Sequence, residues 1–277
     1  MENLPARIRN HSFILRDSDD LDPLISIVRP DLSFVFLCPA AIGGHEFVNW
    51  QAEISKKLIV QRGFNEVVLS GDGSEIAGLD SYVRHLSGSE KTAYNALREL
   101  SVWPSWIYAN WEMIEFLEWL RDLNDGLPND KHIGLSNVLG EPSAKFQKVV
   151  WGQMGTKKNP KHHFLNVGMS VFAGSVFAAS RLQGFGETLP LPQALSDSWE
   201  DIFHQTGKED KIFIAAGNIH EAHQMRCIGP VFNPNDQNNN YSFVILPEIF
   251  DAFIYLEIGR AVNPLYPQWK KSDLEFA

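Results

Sequence analysis

The chain has 277 residues, 44% of them hydrophobic and 21% charged, an ordinary globular balance with material for a sizeable core. Its 24 Lys and Arg against 34 Asp and Glu leave a formal charge of −10, which argues against nucleic acid or an anionic membrane as the main partner. Two cysteines make no disulfide framework, MENLPARIRNHSF lacks the apolar core of a signal peptide, and VGMSVFAGSVFAAS is too short and rich in Gly and Ser to span a bilayer, so a cytoplasmic protein with reduced thiols is expected.

Taken in chain order, FVFLC (34–38) is a continuous apolar run, as in a strand buried on both faces. Phe47, Trp50, Ile54 and Leu58 follow at helical spacing, and Gly63 is a good C-terminal stop. NEVVLS (65–70) closes a βαβ unit over 34–70. Residues 74–86 and 90–100 read as helices. Trp106, Asn110, Met113, Leu117 and Leu120 share a face, predicting one long helix ending near Asn124. KHIGLS (131–136) and FQKVVWG (146–152) are strands. The second half is richer in strands, with HFLNVGMSVF, KIFIAA, YSFVIL and DAFIYLEI, and NPNDQNNN (233–240) reads as a polar loop. DSWEDIFHQTG (197–207) reads as a short helix with Asp197 as N-cap and Gly207 as stop. No repeat or linker divides the chain, so a single α/β domain over 1–277 is expected, with a largely parallel or mixed central sheet flanked by helices.

Several separated segments, covering most of the chain, resemble the erythromycin esterase family. That family opens with a strand and G-E-x-x-H-x-x-x-E-F, where this chain has CPAAIGGHEF with Glu46 and Phe47 matching the last two positions. Gly63, Phe64 and Leu69 match next, then Tyr82 and Val83. Trp103, Trp106, Glu112, Trp119, Leu120, Arg121 and Asn124 follow, and DAFIYLEIGRAVNPL (251–265) matches near the C-terminus. The resemblance implies an esterase-like scaffold but not its chemistry. The family's glutamate falls on Pro39, its water-activating histidine on Ile42, its arginine on Gln51 and a second glutamate on Ser70. Two later histidines fall on Gln153 and Thr156. General base catalysis needs a titratable group within reach of water, and Pro39 and Ile42 supply none. The chain is also shorter than the family between Asn124 and KVVWG. That implies a more open cleft, or one closed by a second subunit in a homodimer.

The polar groups left near the strand ends are Cys38, His45, Asp72 and Gln153, the candidates for catalysis. Ser70 with Trp103, Trp106 and Trp151 are candidates for substrate binding. Cys38 is either a nucleophile or a small buried hydrophobe. His45 is either an acid–base group or a surface histidine, and Asp72 either a site carboxylate or a turn residue. HEAH (220–223) spaces its histidines at i, i+3 rather than the i, i+4 of helical zinc motifs, so neither a metal nor another cofactor is expected. The leading expectation is a small-molecule protein that binds a large, mostly apolar acyl or polyketide-like ligand. It would promote a non-hydrolytic conversion such as cyclisation or elimination in secondary metabolism. The alternatives are a catalytically silent binding or regulatory protein and a hydrolase using Cys38 or His45.

Overall fold

The computed structural model describes residues 2–137, 148–151, 163–215 and 219–265. Its strands are β1 (Ser12–Ile14), β2 (Phe34–Pro39), β3 (Glu66–Leu69), β4 (Gly134–Asn137), β5 (Lys148–Trp151), β6 (Phe164–Ala179), β7 (Gly186–Leu191), β8 (Lys211–Ile214), β9 (Ala222–Arg226), β10 (Tyr241–Ile245) and β11 (Ala252–Gly259). Its helices are α1 (Leu4–Asn10), α2 (Asp22–Ser26), α3 (His45–Arg62), α4 (Gly73–Val83), α5 (Ala93–Arg98), α6 (Trp111–Asp125), α7 (Trp199–Gln205) and α8 (Leu246–Ile249).

Nine strands form a mixed sheet in the order β1-β8-β11-β6-β2-β5-β3-β4, with β7 paired to β6. From β11 to β4 every neighbour along that path is parallel, while β8, β1 and β7 are added antiparallel. The C-terminal ends of the parallel strands therefore share one edge, where α/β sheets place their ligands. β9 and β10 form a separate hairpin. It is moored to β6 by buried Arg226, which donates to the carbonyls of Val171, Phe172 and Pro192.

Side-chain alternation along the strands divides the core. On β11, Ala252, Ile254 and Leu256 join the apolar cluster under α2 to α6, whereas Phe253 and Tyr255 join a second cluster with Ile8 of α1 and Trp199, Ile202 and Phe203 of α7. Each fully buried Leu, Ile or Phe stabilises the fold by roughly 1.5–3 kcal/mol relative to exposure. β2 obeys the same alternation, with Val35 and Leu37 buried and Phe34 and Phe36 half-buried, the latter edge-on to Phe164. The apolar run is thus not buried on both faces throughout.

The βαβ unit is present, with Gly63 at φ 73° ending α3. The long helix begins later than its periodicity predicts. Residues 105–107 form a 3-10 turn, and Asn110 caps α6 by accepting from the Met113 N–H while its amide donates to the carbonyls of Trp106 and Ile107. α7 is capped by Ser198, whose hydroxyl accepts from the Asp201 N–H, rather than by Asp197, which takes φ 64°. Residues 234–240 form a 3-10 segment where a loop is expected. β6 runs seven residues beyond its predicted end at 172, to Ala179. Gly174, at φ 139°, permits this, since a Cβ there would lie 1.9 Å from the Gly259 carbonyl oxygen. Among the described residues no helix is long and apolar enough to cross a membrane.

Candidate functional site

The turn after β2 is held almost wholly by backbone bonds. The Ala40 N–H donates to Met169 O (2.7 Å), Ala40 O accepts from Ile228 N (2.5 Å), and Gly43 O accepts from both Phe177 N and Val262 N (3.0 Å each). The His45 N–H, opening α3, donates to Arg260 O (2.8 Å). Gly43 is required where it stands, because a Cβ there would lie 1.9 Å from Phe177 O and 3.0 Å from the Trp106 ring.

A small cavity of about 80 Å³ lies beside this turn, lined by Pro39, Ile42, Val48, Gln51, Ser70, Ile107 and Tyr108. Four of these are the positions where the resemblance places the esterase groups, and the fold brings all four to one place. Their chemistry is neutral. Gln51 is buried and donates from Nε2 to Leu37 O (3.1 Å). The Tyr108 hydroxyl donates to Ser70 O (2.9 Å) and lies 3.1 Å from Ser70 Oγ. Burial pushes the Tyr108 hydroxyl up to about 12, so it stays protonated at neutral pH. Tyr108 is the residue that the sequence did not offer, because its stretch reads as continuous helix.

The predicted site residues fall in different places. Ser70 lines the cavity. His45 stands at the start of α3 with Nδ1 2.5 Å from Glu112 Oε1 and Nε2 2.9 Å from Asn49 Nδ2, so both ring nitrogens have partners. Glu112 is buried, and its Oε1 also accepts from the backbone N and side-chain Nδ2 of Asn263 (3.1 and 3.0 Å). This buried carboxylate orients the imidazole. It was legible only as a family match, since the pairing spans 67 residues.

Asp72 acts at α4 as its N-cap, accepting from the backbone N–H groups of Ser74 and Glu75. The Ser74 hydroxyl bond, followed by these N–H bonds, holds its exposed carboxyl below the usual range. Asp72 also borders an open groove of about 550 Å³, with Ser74, Glu75 and Ser101 among the other walls. Cys38 points away from the cavity, packing against the cluster that contains Trp199 and Phe203, and burial pushes its thiol up to about 12. That is the environment of an inert thiol.

Trp106 is buried edge-on against Phe177 and supports the turn from behind rather than offering a face to a ligand. Trp103 is half-buried, and its indole donates to Gly184 O (2.9 Å), next to the exposed Leu182 and Phe185. Trp151 closes β5 opposite Leu37. Gln153 and Thr156 lie outside the described residues. Of the HEAH histidines, His220 precedes β9 and His223 lies on it, with Nδ1 2.9 Å from Asp197 O. Among the described residues no three His, Cys, Asp or Glu side chains are grouped to hold a metal.

The model of the family described as erythromycin esterase matches residues 59–140 and 129–258. The turn after β2 precedes these matched residues, so its correspondence rests on the wider resemblance and on the fold. A Bacillus cereus protein of known structure superposes with a TM-score of 0.74 at 16% identity, covering 96% of this chain and 100% of its own. A succinoglycan biosynthesis protein gives 0.75 at 13% identity over 94% and 97% of the two chains. A variant of the erythromycin esterase EreC in its open conformation gives 0.61 at 8% identity over 91% and 97%. At these identities the structural likeness speaks for the fold alone.

Proposed function

The chain belongs to the erythromycin esterase family, and from that premise we propose that it is a non-hydrolytic member. It binds an acyl or polyketide-like ligand at the strand ends and promotes a conversion that needs no attacking water, such as cyclisation or elimination. One observation carries this reading: among the described residues the cavity lining includes no imidazole, carboxylate or amine. Among these described lining residues, Pro39, Ile42, Val48, Gln51, Ser70, Ile107 and Tyr108, none takes a proton from water at neutral pH. A cavity of this kind protects a labile acyl carbon from hydrolysis. Trp103, with exposed Val102, Leu182 and Phe185, offers apolar surface for the ligand's body. His45, oriented by Glu112, is the acid–base candidate for the conversion. One solved neighbour is described as a succinoglycan biosynthesis protein and another as an erythromycin esterase, in keeping with a scaffold whose strand-end chemistry is exchangeable.

A silent binding protein is the second reading. It is favoured by the Asn49 amide on His45 Nε2, which leaves both ring nitrogens engaged. Incubation with erythromycin and with simpler lactones and thioesters tests the proposal. Ring-opened or hydrolysed product should be absent, while Ser70→Ala should weaken binding about fivefold, the worth of one hydrogen bond. Hydrolysis at about 1 per second or faster, a typical enzyme rate, would overturn the reading. A His45→Gln variant separates the two readings: it abolishes conversion in the first and leaves ligand binding intact in both.

A further inference from the structure

We propose that the strand-end cavity receives an uncharged carbonyl or hydroxyl group and rejects carboxylates, so that the protein distinguishes an intact acyl compound from its free acid. This rests on the reading of the strand ends as the binding site and adds a rule for what enters it. Among the described residues the polar lining consists of one amide and two hydroxyls, Gln51, Ser70 and Tyr108, each able both to donate and to accept. The other walls are Pro39, Ile42, Val48 and Ile107, all hydrocarbon. The Gln51 amide already gives one N–H to Leu37 O, and the Tyr108 proton is directed to Ser70 O. What remains is a Ser70 hydroxyl at 3.1 Å from the Tyr108 oxygen and the outer half of an amide, enough for one neutral partner.

An entering carboxylate would lose its hydration and find no cation among the described lining residues in exchange, and an ion buried without a partner is disfavoured far more than a neutral carbonyl. Size sharpens the rule. The cavity of about 80 Å³ is between two and three times the roughly 30 Å³ share of a water molecule in the liquid. It admits the oxygen-bearing end of a ligand and leaves the body outside.

The test is a pair of isosteric probes, acetamide and acetate, titrated at neutral pH into the isotope-labelled full chain, followed by NMR at Ser70, Tyr108 and the Gln51 side-chain amide. Fragments of four heavy atoms bind weakly, so the titration extends to about 100 mM. Acetamide should shift these signals saturably, with acetate at least about tenfold weaker. A Gln51→Arg variant, which places a cation in the wall, should reverse the order. Acetate binding as well as acetamide, or better, would overturn the selectivity rule while leaving the binding site standing. Shifts from neither probe at these residues would overturn the site as well. Should the arginine variant fail to fold, the two titrations of the unaltered chain decide the question.

Discussion

Leu37 and Cys38 are neighbours in sequence that face opposite halves of the molecule. Leu37 packs into the cluster under α3 and Cys38 into the cluster under α7, because consecutive strand residues project from opposite faces. Placement at the end of β2 is therefore not enough to make Cys38 a site residue. A thiol at about 12 is ionised at pH 8 in only about one molecule in ten thousand. Cys227, by contrast, is exposed. Iodoacetamide at pH 8 should alkylate Cys227 in the folded protein and reach Cys38 only on unfolding, with rates differing by about a hundredfold or more. Equal labelling, read by peptide mass, would contradict the burial described for Cys38.

At the scale of elements, the turn of residues 39–44 depends on Gly43. Ala at this position would drive a Cβ into Phe177 O at 1.9 Å, a backbone atom that cannot rotate away. Gly43→Ala should destabilise by about 1–3 kcal/mol, as overpacking does, and shift the denaturation midpoint accordingly. An unchanged midpoint would mean that β6 yields there. The same turn illustrates what sequence could and could not reveal. FVFL, the helical spacing after it and Gly63 together make the βαβ unit legible, because burial period and punctuation agree. The break before α6 is hidden, since apolar spacing continues across Asn110 while its side chain caps the helix. α1 and β1 have seven and three residues, too few to establish a period. Pro39, Ile42, Gln51 and Ser70 could be placed only through family resemblance. Tyr108 and the Glu112 clamp on His45 arise from contacts between distant segments, to which local pattern is blind.

For the molecule as a whole, an acidic net charge has a local counterpart where β8 meets β11. Asp210 accepts from the Glu257 N–H (2.7 Å), and burial, with the nearby carboxylates of Glu46 and Glu257, raises its pKa above the ordinary 3.8. The folded state therefore holds this proton more tightly than the unfolded state does. Asp210 favours folding most at low pH, and its contribution declines as pH rises from about 4 through the folded value. Asp210→Asn keeps an acceptor for the Glu257 N–H without the charge. Its denaturation midpoint should exceed that of the unaltered protein at pH 8, and the gain should shrink as pH falls towards 4. A loss of stability at pH 8 would mean that attraction to Lys211 outweighs burial and repulsion.

The backbone scaffold of the turn after β2 has an evolutionary consequence. Its bonds to Met169, Ile228, Phe177, Val262 and Arg260 are made by main-chain atoms at both ends, so the turn's shape does not depend on the side chains at 39 and 42. Selection can exchange those residues while the fold stays intact, because the loop's architecture and its reactivity are encoded in different atoms. A lineage can lose a proton-transfer site here in a few substitutions without passing through an unfolded ancestor, and can recruit the vacated pocket for another ligand by the same route.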